Sequence, residues 1–164
     1  MLSFFNKPDM FSLIANIGVA VFAALVMNGI IFLLGWDKST NYAPEPSFTP
    51  PGYVIGIVWI VLFAFMATAR WNLNLVNYTA ASQARWLVTL LIIFCLLWPL
   101  YSIAIGSIIG GLIGNIATIV LAIIVVVFIW PVSFVSACLV MPVIAWVAFA
   151  TLIVLGQLGW LGIS

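Results

Sequence analysis

The stretch from Trp86 to Ser164, WLVTLLIIFCLLWPLYSIAIGSIIGGLIGNIATIVLAIIVVVFIWPVSFVSACLVMPVIAWVAFATLIVLGQLGWLGIS, contains no Asp, Glu, Lys, Arg or His. A soluble domain of ordinary composition is about a quarter charged. The whole 164-residue chain is 4% charged and 67% hydrophobic, with a mean hydropathy of +1.40. The apolar runs are continuous rather than alternating. In lipid a backbone must satisfy its own hydrogen bonds, and for such runs the solution is the helix, not the barrel strand. The chain therefore reads as an all-α integral membrane protein, in contact with the lipid bilayer along most of its length.

Turn-forming residues divide the chain into five spans within a single membrane domain over residues 1–164. The spacing predicts helices over about 11–35, 51–71, 85–105, 112–130 and 132–155. The first apolar run is too long for a signal-peptide core, and no small-residue cleavage site follows it, so it reads as a retained helix. Residues 36–50 hold Asp37, Lys38, Glu45, Pro44, Pro46 and Pro50, the composition of an extended loop. Pro51 suits the first position of the second helix. Gly106, Ser107, Gly110 and Gly111 mark a tight break. The spacing of Gly106, Gly110 and Gly114 fits either close helix–helix approach or a flexible turn. Lys7, Arg70 and Arg85 lie on one side and only Lys38 on the other. The positive-inside rule then predicts a cytoplasmic N-terminus, with the first loop and the C-terminus on the opposite side.

Composition also narrows function. A net charge of +1 without a basic patch argues against nucleic acid as a partner. The absence of His argues against His-ligated metal or haem iron. Polar residues within the spans, among them Asn28, Thr68, Thr89, Asn115 and Ser136, have no base beside them and read as interhelical hydrogen-bonding groups. No catalytic residue and no metal ligand is assigned. Acid–base enzymology and proton-coupled transport are not expected, while chemistry carried by a bound pigment stays open. Cys95 and Cys138 read as buried small hydrophobes.

Tryptophan is the residue type that stands out. Of the eight, Trp36, Trp71, Trp86, Trp130 and Trp160 fall at predicted span ends, as an interfacial aromatic belt requires. Trp59, Trp98 and Trp146 do not. Counted from the predicted helix starts they lie roughly 12–21 Å deep. An indole N–H at that depth needs an acceptor or a ligand. Three such residues on three helices point to a shared aromatic cavity. Pro99 and Pro142, inside the third and fifth spans, bend their helices and help hold such a cavity open.

Three segments carry a family resemblance. Phe48-Thr49-Pro50-Pro51-Gly52, followed by Trp59, resembles the W-x-P-P-x(7)-W signature of the TspO/MBR family, the tryptophan-rich sensory proteins related to the mitochondrial translocator protein. Phe94 to Trp98 resembles the family's F-N-x-x-W, and Pro142 to Thr151 its P-Y-x-x-W-x-x-F-A-T. The resemblance implies a five-helix bundle, commonly a homodimer, with a pocket roofed by the first loop. It implies a hydrophobic small-molecule ligand, first of all a porphyrin or other haem-type tetrapyrrole, with no obligatory cofactor. On this resemblance Trp59 and Trp146 line the pocket, Cys95 and Trp98 shape its floor, Phe149 stands nearby, and Tyr42, Pro50 and Pro51 belong to the closing loop.

The departures from the family pattern remove polarity. Cys95 stands where the family has Asn, Val143 where it has Tyr, Val154 where it has Asn, and Glu45 where Lys is usual. The expected function is thus a membrane receptor or sensor holding a flat hydrophobic ligand. One alternative is a small accessory subunit of a larger membrane assembly, such as a pigment–protein complex. Light-dependent porphyrin degradation is implied by the resemblance alone.

Overall fold

The computed structural model describes residues 4–36, 45–76 and 79–161. A short 3-10 turn, Phe4–Asn6, precedes five helices: α1 Met10–Leu33, α2 Gly52–Asn72, α3 Ala81–Tyr101, α4 Ile108–Ile129 and α5 Phe134–Gln157. Each is long and apolar enough to cross a membrane, so the protein is an integral, multi-pass, all-α bundle. Tyr42 and Pro44 lie outside the described residues.

Capping residues explain where the helices begin. Asp9 accepts from the Ser12 amide at 2.7 Å and starts α1. Ser107 accepts from Gly110 N at 3.0 Å and starts α4, so Gly110 and Gly111 belong to the helix rather than to the break before it. Ser133 does the same for α5 through Ser136 N. Each cap satisfies an amide that the first helical turn leaves unpaired. Pro51 immediately precedes α2 instead of occupying its first turn. The third helix differs most from the sequence expectation. It starts at Ala81 rather than Arg85, because Ala80 and Ala81 are strong helix formers and the Ala84 amide already bonds Ala80 O. It also ends four residues early, at Tyr101, two residues beyond Pro99.

Around the bundle the helices follow the order α1, α2, α5, α4, α3, with α2 also touching α3. Packing is uneven along the membrane normal. Most of the closely packed core lies towards the N-terminal end: Met66, Ala69, Val88, Leu91, Val125, Ile129 and Val140 are almost wholly buried there. The small residues Ala67, Ala84, Ala122 and Ala137 let the backbones approach, which in lipid drives association through close van der Waals contact. Cys138, expected inside, is exposed on the outer face of α5, while Cys95 is buried. About half a turn, roughly two residues, separates a helix's inward and outward faces, and the uniformly apolar run around Cys138 does not mark them.

A polar knot closes the N-terminal end. The Phe5 carbonyl accepts from Ser12 Oγ at 2.9 Å, Asn16 Nδ2 at 3.0 Å, Asn74 Nδ2 at 3.0 Å and Arg70 Nη1 at 3.4 Å. Arg70 also donates to Asn16 Oδ1 at 2.7 Å, Thr89 Oγ1 at 2.8 Å and Asn6 Oδ1 at 3.0 Å. Beside it Asn72 Nδ2 donates to Ser133 and Ser136, and Ser136 Oγ donates to the Ala69 carbonyl.

At the other end the glycine spacing serves the chain itself. Gly106 has φ +65° and turns the chain between α3 and α4. Gly114 takes the ring of Tyr101 against its bare Cα.

Candidate functional site

Two adjacent cavities occupy the loop-side half of the bundle. The larger, about 440 Å³, lies between α1, α2 and α3 and includes Asn28, Gly56, Phe63 and Cys95 in its lining. The smaller, about 240 Å³, lies between α2, α3, α4 and α5, with Glu45 and Thr49 of the first loop at its mouth. They share a wall of Ile55, Trp59, Trp98 and Ile103. Both are overwhelmingly apolar, as small-molecule sites in proteins are.

The 45–51 segment of the first loop roofs the smaller cavity. Pro46 is buried and its ring packs on Gly156 of α5, where any side chain would push it away. The Thr49 amide bonds Pro46 O at 2.9 Å and tightens the turn. Phe48 leans towards Phe149, ring centroids 6.3 Å apart, and Phe149 lies 5.7 Å from Trp146. An aromatic file thus runs from roof to cavity wall.

The sequence-predicted site residues that are described, Tyr42 lying outside them, are gathered at this end of the bundle, but not in one chamber. Trp59 and Trp98 line both cavities, Cys95 lines only the larger and Trp146 only the smaller. Phe149 stacks behind Trp146 rather than lining either space. Pro50 and Pro51 form the corner leading into α2 and also line neither. Of the three deep tryptophans, Trp146 is mid-helix. Trp59 lies about 10 Å inside the loop-side end of α2, and Trp98 only about 4 Å inside that end of α3. The expected mid-bilayer depth of Trp98 is corrected by the early end of its helix.

Asn115 reads in the sequence as an interhelical hydrogen-bonding group, and the structure also places it at the smaller cavity, which the sequence does not signal. Asn115 on α4 is 2% exposed and lines the smaller cavity. Its Oδ1 accepts from Trp98 Nε1 at 2.8 Å. Val154 lines the same cavity, while Val143 lies in the closed core. Asn115 stands among isoleucines and glycines, and only its neighbours in space separate it from an ordinary interhelical amide.

Such an arrangement can enclose a planar apolar molecule between indole faces and offer it a few neutral hydrogen bonds. Among the described residues Glu45 is the one carboxylic acid in either lining.

Comparison with known proteins agrees with this architecture. The chain matches the TspO/MBR family over residues 17–160. It is 30% identical to the tryptophan-rich protein TspO of Bacillus cereus over 108 residues, which span 65% of this chain and 70% of that protein. The matched region takes in helices α2 to α5 whole and the cavity-lining part of α1, and on that breadth the chain belongs to the TspO/MBR family.

Proposed function

We propose that this protein is a membrane receptor of the sensory type that binds a flat hydrophobic ligand, a porphyrin or other tetrapyrrole. The observation that carries the reading is the shared wall: Trp59 and Trp98 stand between two apolar cavities at the roofed end of the bundle. Ligand sites for drug-sized molecules occupy roughly 300–1,000 Å³. The roofed cavity is below that range at about 240 Å³ and the larger is within it at about 440 Å³. A tetrapyrrole therefore straddles the wall, stacked on its indoles, and rotation of Trp59 joins the two spaces. The loop segment held by Pro46 on Gly156 closes over it and is the element through which occupancy is signalled.

A tryptophan-fluorescence titration of the purified protein tests this, using protoporphyrin IX and its dimethyl ester. The Trp59→Phe/Trp146→Phe double variant should bind about tenfold more weakly, since it loses indole stacking on both sides of the site. Trp86→Phe, at the far end and 61% exposed, should leave the curve unchanged. Equal, unsaturable quenching in all three proteins would sink the assignment.

The gathering of Lys7, Arg70 and Arg85 at the knotted end supports a cytoplasmic N-terminus. Ser82→Cys, exposed at that end, should then react with an impermeant maleimide only after right-side-out vesicles are opened. Labelling of intact vesicles would reverse the orientation.

A further inference from the structure

Four buried side-chain polar atoms among the described residues have no hydrogen-bond partner in the protein: Thr49 Oγ1, Asn74 Oδ1, Asn115 Nδ2 and Trp146 Nε1. Three of the four belong to residues of the roofed cavity. Buried polar groups are paired as a rule, so three exceptions around one cavity call for a cause. The amide of Asn115 is not free to turn over. An indole N–H donates only, so the Trp98 bond fixes Oδ1 as the atom facing it and leaves Nδ2 as an unused donor. Trp146 Nε1 is a donor by nature. Thr49 can donate or accept.

The charge around these donors is equally specific. Among the described residues the cavity lining contains no cation, and its single ionisable residue there is Glu45 at the mouth. A carboxylate brought into such a space loses its water, gains no counter-charge and approaches another carboxylate. A carbonyl loses far less and finds two N–H donors.

Resting on the ligand-binding reading above, we infer that the roofed cavity selects a neutral hydrogen-bond acceptor: the flat ligand carries a ketone, ester or amide carbonyl that accepts from Asn115 Nδ2 and Trp146 Nε1. The ring stacks at the Trp59–Trp98 wall, and the carbonyl-bearing arm enters the roofed space.

Three porphyrins separate the terms when titrated into the full-length protein. They are protoporphyrin IX dimethyl ester, protoporphyrin IX with free carboxylates, and octaethylporphyrin, which has no carbonyl. The ester should bind about tenfold tighter than octaethylporphyrin, the worth of one to two net hydrogen bonds. It should also bind tighter than the free acid, and Glu45→Gln should narrow that second gap. Trp146→Phe keeps the ring and removes one donor, breaking no bond within the protein. It should shrink the ester's advantage over octaethylporphyrin to about threefold. Asn115→Leu should do likewise, but it also strips Trp98 of its acceptor, so Trp146→Phe is the deciding variant. Equal binding of ester and octaethylporphyrin overturns the inference, as it would if water served these donors in every complex. An advantage that survives Trp146→Phe, or tighter binding of the free acid, overturns it too. If none of the three binds saturably, the ligand-binding reading itself falls and this inference with it.

Discussion

The two ends of this bundle treat polar groups in opposite ways. At the N-terminal end Arg70 reaches three acceptor side chains and a carbonyl, and the helices beneath it pack closely on alanine and valine. At the loop end the helices part around two cavities, and three buried polar atoms of residues lining the smaller one have no partner in the protein. A membrane bundle gains stability from close packing and satisfied hydrogen bonds rather than from expelling water. One half spends its sequence on that stability, and the other gives part of it up to keep a space. The closed half is the scaffold, and the hollow half is where a ligand changes the energy.

Substitutions should therefore separate by location. The largest effect is expected from Arg70→Met. It removes a charged donor and strands Asn16 Oδ1 and Asn6 Oδ1, at a cost of about 3 kcal/mol. A thermal melt in detergent should show a drop of many degrees, with the melting curve of the loop-side tryptophans falling together with the rest. A change below 1 kcal/mol would mean that the knot is decorative.

Next in size is a matched pair of truncations. Leu91→Ala, in the closed half, should cost about 3 kcal/mol because its neighbours cannot collapse into the void. Ile103→Ala, in the wall between the cavities, should cost about 1 kcal/mol, since that side chain already borders empty space. Equal losses in chemical denaturation would remove the contrast between the halves.

Gly114→Ala should cost roughly 1–3 kcal/mol by pressing a methyl group into the Tyr101 ring. Tyr101→Ala in the same chain should restore part of it, which a double-mutant cycle would measure. Smallest in stability is Gly156→Ala. It displaces Pro46 and loosens the roof, so the melting temperature should barely move while ligand affinity falls several-fold. Unchanged affinity would show that the 45–51 segment does not close the site.

Much of this was legible in the chain before any geometry. Span number and helical character follow from run length alone, because lipid leaves a continuous apolar segment no other backbone solution. Trp59, Trp98 and Trp146 stood out by depth, and the structure brings all three to the cavity-bearing end. Depth counting misplaced Trp98, since α3 is displaced towards the N-terminus by its alanine-rich start. Dividing the pocket in two was beyond sequence reading: Cys95 and Trp146 lie on opposite sides of a wall that exists only once α2 and α3 are packed. Arg70 looked like an ordinary span-end charge, and its partner Asn16 is 54 residues away in the chain. Asn115 is expected to bond between helices, as it does to Trp98, but nothing in the sequence shows that it lines a cavity. A mid-helix Asn reads the same whether both ends of its amide are paired or only one.

The central claim is that a flat ligand engages the hollow half and leaves the closed half untouched. Indole N–H resonances report on both at once, through a 1H–15N spectrum of the protein titrated with protoporphyrin IX dimethyl ester and assigned by single Trp→Phe changes. Trp71 donates to Asp9 O in the knot, and Trp86 and Trp130 belong to the same end. The account predicts saturable shifts at Trp59, Trp98 and Trp146, with the Trp146 N–H moving downfield as it gains an acceptor, and no shift at Trp71, Trp86 or Trp130. Shifts spread evenly over both groups, or confined to the knotted end, would contradict it.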